Sequence, residues 1–260
     1  LIKYMNWEHP NIWRIILMKN KKRIAFGFFG QTRVTDVINV LYKRIEKDYD
    51  FFMSTWNDEN SQKLNFDFIK INKYNYDDEI HKIRKDIPDK CFDRDTKKLI
   101  RINKILAQAY TFFHTNNVIN SIKKYEKENN FKYDVIFLCR PDTAIKIEDL
   151  KLEINRFLRQ SNFNRPMIST LSPIILNDLT FTLANPMAYI LNNQALDYIL
   201  NLRKELFEDR SDLDIKFSYR GDHETIPFMV VKHNFLSVVN GLESGIIRTD
   251  KDLKRYLNDG

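Results

Sequence analysis

Residues 132–143, KYDVIFLCRPDT, join an unbroken apolar run to an abrupt polar end. The central VIFLC is short and contains only aliphatic, aromatic and cysteine side chains, which predicts a strand that is covered on both faces. Pro141 cannot donate a hydrogen bond to a neighbouring strand, so strand pairing should end there. Arg140 and Asp142 are therefore expected at the carboxyl end of a buried strand, where open α/β sheets bind ligands. A simple ion pair at a polar strand end is the alternative interpretation.

Other apolar segments predict the neighbours of this strand. Residues 23–29, RIAFGFF, and residues 50–55, DFFMST, have a similar composition, and we expect them to pair with residues 133–139 in one mostly parallel sheet. Further elements are predicted as strands at 66–71, 167–170 and 235–239, helices at 34–45, 97–128 and 186–207, and a helix or turn at 147–160. Alternating strands and helices predict an α/β fold in a single domain, with helices flanking the sheet.

Domain organisation follows from the same patterns. Residues 1–18 carry an irregular apolar pattern that fits poorly with the rest, so they are predicted to be an N-terminal extension. Residues 19–260 contain neither repeats nor linkers and are predicted to form the single domain.

The composition predicts a folded protein with anionic partners. The chain has 260 residues, of which 43% are hydrophobic, and a net charge of +7. This charge favours nucleotides, phosphorylated sugars or nucleic acid as partners, although an A/T-rich genome would also enrich lysine. Two cysteines are too few for a disulfide framework, and neither a membrane-spanning run nor a signal peptide is evident. We therefore expect a cytoplasmic protein.

Several common kinds of site are disfavoured by the pattern. The histidines and cysteines lack zinc-ligand spacing, and neither a Gly-x-Ser-x-Gly elbow nor a phosphate-binding P-loop is present. No known nucleic-acid-binding module is recognisable. His114 falls within the predicted helix 97–128 and is interpreted as an ordinary polar helix residue.

Polar groups instead cluster where the predicted strands end. These candidate site residues are Gly30, Gln31, Thr32 and Arg33 after the first strand, Trp56 and Asp58 after the second, Arg140 and Asp142, and the later group Asp222, His223 and Glu224. A strand, a glycine turn and a helix often handle phosphate or nucleotides in α/β proteins, although this signal is weak when taken alone.

The order of three of these segments resembles a known family. IAFGFFGQTR at 24–33, YDFFMSTWND at 49–58 and YDVIFLCRPD at 133–142 are similar to GT-A-type glycosyltransferases of bacterial polysaccharide clusters and large viruses. The resemblance implies a GT-A-like, Rossmann-like fold, a nucleotide-sugar donor, and a glycan, lipid-linked glycan or modified nucleic acid as acceptor. It also implies a donor site formed by the strand-end residues, from residues 30–33 through Trp56 and Asp58 to Arg140.

The resemblance further implies a divalent cation, Mn²⁺ or Mg²⁺, that grips the donor diphosphate. Most GT-A enzymes hold it with an Asp-x-Asp motif, whereas this chain has Arg140, Pro141 and Asp142 there. Asp142 is therefore the predicted metal ligand, and Arg140 is a second way to neutralise phosphate charge. Asp222, His223 and Glu224 are the predicted catalytic base group, with helix capping as the structural alternative for Asp222.

Two further functions stay open. One is another nucleotide-dependent transferase on a similar sheet. The other is a basic nucleic-acid-binding protein without catalytic activity, which the charge supports but no recognised module does. The sequence does not specify the sugar, the nucleotide, the acceptor, the stereochemical outcome or the oligomeric state.

Overall fold

A computed structural model describes residues 22–85, 102–160, 165–170, 188–201, 236–239 and 244–258. The strands are β1 (Ile24–Phe29), β2 (Asp50–Trp56), β3 (Lys70–Tyr74), β4 (Val135–Cys139), β5 (Thr143–Ile145), β6 (Met167–Thr170), β7 (Ala188–Leu191), β8 (Leu236–Val239) and β9 (Ser244–Ile246). The helices are α1 (Glu59–Gln62), α2 (Tyr76–Lys85), α3 (Ile102–Glu128), α4 (Ile147–Gln160) and α5 (Asp250–Asn258). The predicted extension at 1–18 lies outside the described residues.

Within the described ranges, seven strands form the main sheet in the order β3-β2-β1-β4-β7-β6-β8. β1 pairs in parallel with both β2 and β4, so that Phe26 lies between Phe51 on one side and Phe137 on the other. β7 runs antiparallel to both of its neighbours, whereas β6 and β8 are parallel. The expectation of three neighbouring parallel strands is confirmed, and so is that of a mostly parallel α/β sheet.

Helices cover both faces of this sheet. α3, the inner side of α2 and the helical residues 196–201 pack on one face. The other face is covered by α4, by α5 and by two irregular helical turns, Val37–Leu41 and Tyr42–Ile45. Because β1, β2 and β4 are buried on both faces, their sequences are apolar almost throughout, as parallel strands require. No helix within the described ranges is long and apolar enough to cross a membrane.

α3 lies unusually close to β1 at Gly27. A Cβ atom at this position would lie 2.4 Å from Val118 Cγ1 and 2.6 Å from Leu138 Cδ2. The absence of a side chain therefore lets the helix pack directly against the strand backbone. This close approach fixes α3, and with it the aromatic residues near the carboxyl end of β2.

Three sequence-based assignments are wrong in their bounds or type. The third strand is Lys70–Tyr74 rather than 66–71, because Phe66 instead packs its ring on Phe51 at a centroid distance of 4.8 Å. Part of the predicted helix 186–207 is β7, whose apolar AYIL pairs with the buried strand β4. The predicted helix at 34–45 is a π-helical turn followed by a 3₁₀ turn. In each case tertiary packing outweighs the local pattern.

Candidate active site at the carboxyl edge of the sheet

The strand order places the site between β1 and β4. The chain passes from β1 to β2 and then to β3 on one side of β1, and it returns to the other side of β1 to form β4. The direction of strand addition therefore reverses between β1 and β4. A crevice forms at such a reversal, outside the carboxyl ends of the strands, and open α/β proteins bind their ligands there. The segments that leave β1 and β4 at this edge begin with Gly30 and Arg140. Both predicted donor-binding segments therefore lie at the same end of the sheet.

Gly30 turns the chain at the end of β1. Its φ angle is +105°, a conformation that side chains disfavour, and the position of a Cβ atom faces open space. Its N–H donates a hydrogen bond to the carbonyl of Ser54 at 3.0 Å, which ties the turn to β2. Gln31, the next residue, is exposed. Glycine thus supplies a turn whose open side is available to a ligand.

Thr32 and Arg33 complete this turn in different ways. Thr32 is buried, and its hydroxyl lies 3.1 Å from the hydroxyl of Thr55 on β2. The carbonyl of Arg33 accepts a hydrogen bond from Asn60 Nδ2 at 3.1 Å. Its side chain, in contrast, is 42% exposed and brings Nη1 to 3.4 Å from Asp142 Oδ2. The backbone of Arg33 is therefore fixed, and its guanidinium group extends from the carboxyl end of β1 towards that of β4.

Asp142 is held by Arg140 as well. Arg140 donates from Nε to Oδ1 at 3.0 Å and from Nη2 to Oδ2 at 2.6 Å, so both carboxylate oxygens accept hydrogen bonds. The Asp142 side chain is completely buried, whereas the Arg140 side chain is 29% exposed. The ion pair that was the alternative interpretation of this motif is therefore present.

The backbone of this turn is fixed independently of the ion pair. Thr143 N–H donates to the Arg140 carbonyl at 3.1 Å, and Ile247 N–H donates to the Asp142 carbonyl at 2.8 Å. β5 and β9 continue this contact as a two-stranded sheet. The hydroxyl of Tyr42 donates to the Thr143 carbonyl at 3.1 Å from the other side. The direction of the Asp142 side chain is thus set by backbone contacts on both sides of it.

The side chains of Arg33, Arg140 and Asp142 together carry a net positive charge at the carboxyl ends of β1 and β4. Two guanidinium groups, Arg33 and Arg140, share one carboxylate, Asp142. Both arginines are partly exposed while the carboxylate is buried, so the positive groups are the ones that face solvent. Arginine forks match the geometry of phosphate oxygens, and an anion at this edge would meet both.

The described residues do not fit a divalent cation. No three His, Cys, Asp or Glu side chains in the described ranges come together as a metal site. Both oxygens of Asp142 are engaged by Arg140, and Arg33 lies beside one of them. A cation at this carboxylate would lie next to two positive groups, which repel it. The surroundings of Asp142 therefore do not support its predicted role as a metal ligand, and that role stays a prediction.

The two predicted donor contacts on the β2 side have structural roles. Asp58 caps α1, because its Oδ1 accepts from Ser61 N–H at 2.8 Å and its own N–H donates to Ser61 Oγ at 3.1 Å. Trp56 is 8% exposed and stacks on Phe113 at a centroid distance of 5.7 Å. Their parts in donor binding remain predictions beside these structural roles.

His114, which the sequence suggests is an ordinary polar helix residue, is buried. It has no exposed surface, and its Nδ1 lies 2.8 Å from Ser54 Oγ. Its Nε2 has no hydrogen-bond partner among the described residues. The centroid of its ring lies 4.3 Å from that of the Trp56 ring. Burial lowers the pKa of His114 to about 3, so the ring is neutral at physiological pH. The available signal was the pair of hydroxyl residues Ser54 and Thr55 at the end of the apolar run of β2.

Cys139, the last residue of β4, is an inert neighbour of the site. It is fully buried, and burial raises the pKa of its thiol. Its sulfur lies 3.7 Å from the Tyr42 hydroxyl. The thiolate is the reactive form of cysteine, so Cys139 contributes packing rather than chemistry. The predicted base group, Asp222, His223 and Glu224, lies outside the described residues.

Known structures that match this chain include two glycosyltransferases and a putative thymidylyltransferase. A glycosyltransferase GlyE of Streptococcus pneumoniae TIGR4 matches with 9% identity and a TM-score of 0.39, over 84% of this chain and 45% of that one. A glycosyltransferase involved in glycosylation of the major capsid of PBCV-1 matches with 8% identity and a TM-score of 0.40, over 84% and 82%. A putative glucose-1-phosphate thymidylyltransferase of Bacillus anthracis in complex with a sucrose matches with 10% identity and a TM-score of 0.38, over 90% and 93%.

This chain therefore spans less than half the length of GlyE. No family model matches it, and no curated protein matches it either. At these identities no residue role carries over from the matching structures. What the structure itself shows is a mostly parallel α/β sheet with two arginines, Arg33 and Arg140, at the carboxyl ends of β1 and β4.

Proposed function

We propose that this protein is a glycosyltransferase that moves a sugar from a nucleotide-sugar donor to an acceptor hydroxyl. One observation carries the proposal: Arg33 and Arg140 meet at Asp142 where the strand order reverses between β1 and β4. That reversal is where such sheets bind nucleotides, and the two arginines provide the positive charge that a diphosphate requires. The donor side of the site comprises residues 30–33 and Arg140, with Trp56 and Asp58 as further predicted contacts.

The arginines fit the demands of the reaction. The bond between the anomeric carbon and the diphosphate oxygen breaks, and its electron pair remains on the departing nucleoside diphosphate. Positive groups that are already in place stabilise this growing negative charge without reorganisation of solvent. Arg33 and Arg140 are held by the backbone contacts of their turns and by Asp142. In the proposed complex their guanidinium groups face the diphosphate.

The acceptor side completes the atom balance. The acceptor oxygen forms the new bond to the anomeric carbon, and its proton passes to a base. Asp222, His223 and Glu224 remain the predicted source of that base, since carboxylate and imidazole groups take protons near neutral pH. A glycan, a lipid-linked glycan or a modified nucleic acid are the acceptors the sequence resemblance implies.

Donor turnover tests the proposal. Purified protein is incubated with a panel of UDP-, GDP-, dTDP-, ADP- and CDP-sugars, and release of the nucleoside diphosphate is measured with and without candidate glycan acceptors. We expect turnover of at least one donor, and loss of about 100-fold or more in Arg140→Ala, equivalent to about 2.7 kcal/mol of transition-state stabilisation. Arg156→Ala is the matched control, because Arg156 is an exposed arginine paired with Glu153 on α4.

Two outcomes would contradict the proposal. Salt-sensitive binding of DNA or RNA without turnover of any donor would favour the non-catalytic nucleic-acid-binding protein. Transfer of a nucleotidyl group rather than a sugar, detected as release of pyrophosphate from a nucleoside triphosphate, would favour the other transferase.

A further inference from the structure

We infer that this site neutralises the donor diphosphate with Arg33 and Arg140 in place of a divalent cation, and that Asp142 is a positioning residue for the two arginines. The inference rests on the proposed function and narrows it to one mode of recognising the leaving group. It also gives Asp142 a different part from the metal ligand that the sequence resemblance implies.

The first argument concerns the oxygens of Asp142. Mg²⁺ and Mn²⁺ bind carboxylate oxygen directly, Mg²⁺ at about 2.0–2.1 Å. Arg140 Nη2 already lies 2.6 Å from Oδ2, and Arg140 Nε lies 3.0 Å from Oδ1. The carboxylate is fully buried, so a cation would have to displace Arg140 to reach either oxygen. The ion pair therefore holds Arg140 in position and leaves no carboxylate oxygen of Asp142 open to a cation.

The second argument concerns the donors that remain on the arginines. A guanidinium group has five N–H donors, and the pair with Asp142 uses Nε–H and one Nη2–H of Arg140. Its Nη1 group takes no part in that pair. Arg33 Nη1 lies 3.4 Å from Asp142 Oδ2, beyond the distances of the Arg140 hydrogen bonds, and the Arg33 side chain is 42% exposed. Both side chains thus retain N–H donors for a phosphate while Asp142 fixes their position.

The third argument concerns charge. Two adjacent guanidinium groups repel each other, and a buried carboxylate between them offsets that repulsion. One negative charge against two positive charges leaves the trio with a net positive charge. A divalent cation performs the same task in a site made of carboxylates alone. Here the positive charge belongs to the chain itself, since Arg140 stands where the resembled family has its first aspartate.

The test measures binding, independently of catalysis. UDP, GDP, dTDP, ADP and CDP are titrated calorimetrically into the protein, once with excess EDTA and once with Mn²⁺. We expect one or more of these diphosphates to bind with dissociation constants that differ less than threefold between the two conditions. The corresponding nucleoside should bind at least tenfold more weakly, because it lacks the diphosphate that the arginines contact.

Variants assign the binding to the arginines. Arg33→Ala, Arg140→Lys and Asp142→Asn should each weaken diphosphate binding at least tenfold without changing nucleoside binding, and binding should remain insensitive to EDTA. Arg156→Ala, on α4, should bind as the wild type does. Arg140→Lys keeps the charge but not the fork, so it preserves the ion pair with Asp142 and guards against loss of fold. Melting temperatures show that each variant is folded.

Two results would overturn the inference in distinguishable ways. Binding that disappears in EDTA, returns with Mn²⁺ and broadens the ³¹P signals of the bound diphosphate would place a metal there. That result would leave the proposed glycosyltransferase function intact. Failure of all five diphosphates to bind in either condition would instead overturn the proposed function and the inference with it.

Discussion

Arg140 and Asp142, which are separated only by a proline, form a two-pronged ion pair through Nε at 3.0 Å and Nη2 at 2.6 Å. The carboxylate has no exposed surface, whereas the guanidinium group is partly exposed. Pro141 fixes the local backbone, and the Asp142 carbonyl accepts a hydrogen bond from Ile247. The edge of the sheet therefore presents an arginine whose position is set before any anion arrives.

The stability of this pair can be measured with a double-mutant cycle. Removing one member of a buried ion pair costs about 3–5 kcal/mol when the other charge stays buried. Because Arg140 is partly exposed and can reach water, we expect Asp142→Ala to lower the free energy of unfolding by about 2 kcal/mol, below that range. Arg140→Ala together with Asp142→Ala should cost less than the sum of the single changes, by about 1 kcal/mol or more. Urea denaturation of the four proteins gives the coupling energy, and strictly additive effects would show that the pair does not exist in solution.

Stability should depend on pH through His114. Its pKa is lowered from 6.5 to about 3 because burial disfavours the charged ring. The unfolded chain therefore takes up a proton below pH 6.5 that the folded protein does not, so stability is complete above pH 6.5 and is lost as the pH falls towards 3. The loss is about 1.4 kcal/mol per pH unit, or about 2 kcal/mol at pH 5.

His114→Gln removes this titration and should flatten the stability profile between pH 5 and pH 7.5. His81→Gln, at an exposed histidine of α2, is the matched control and should keep the wild-type slope. Free energies of unfolding from urea titrations at several pH values supply the comparison. An unchanged slope in His114→Gln would mean that His114 is not buried in a neutral form.

The close approach of α3 to β1 predicts a large effect of one methyl group. Gly27→Ala would place its Cβ atom 2.4 Å from Val118 Cγ1 and 2.6 Å from Leu138 Cδ2. Overpacking of this kind costs about 1–3 kcal/mol. Val118→Ala removes one of the two clashing atoms, so the double variant with Gly27→Ala should recover part of the loss. Thermal unfolding measures both effects, and a neutral Gly27→Ala would contradict the packing of α3 on this strand.

Variants of Asp58 can separate its role as a helix cap from its predicted role in donor binding. Loss of its cap in Asp58→Ala should lower the free energy of unfolding by about 1 kcal/mol, whereas Asp58→Ser keeps a capping oxygen and should cost less than about 0.5 kcal/mol. The same two variants test the predicted donor contact. Weaker binding of the donor in a fully stable Asp58→Ser protein would support that contact, and unchanged affinity would leave Asp58 with capping alone.

The predicted base group can be tested one residue at a time. In Asp222→Asn, His223→Gln and Glu224→Gln, the residue that takes the acceptor proton should be the one whose loss lowers transfer about 100-fold or more while donor affinity stays constant. Transfer rates under single-turnover conditions and donor binding by calorimetry separate these effects. Full activity in all three variants would reject the predicted base.

The three strands β1, β2 and β4 could be predicted because their signal is local. β1, β2 and β4 are buried on both faces, so each is an apolar run that is visible without knowledge of its neighbours. The same is true of the Arg140 and Asp142 pair, whose members are two residues apart and follow a strand that ends in proline. The composition of β4 and the presence of Pro141 were therefore enough to place this pair at the carboxyl end of a strand in a parallel sheet.

What required the tertiary structure are contacts between residues distant in the chain. Arg33 reaches Asp142 only because β1 and β4 are neighbours in the sheet, and Ser54 meets His114 across 60 positions of sequence. β7 could not be told from a helix by its local pattern, since its pairing with the buried β4 decides its conformation. Hydrophobic periodicity specifies which segments are buried, but the partner of each polar group depends on packing between elements that no local pattern encodes.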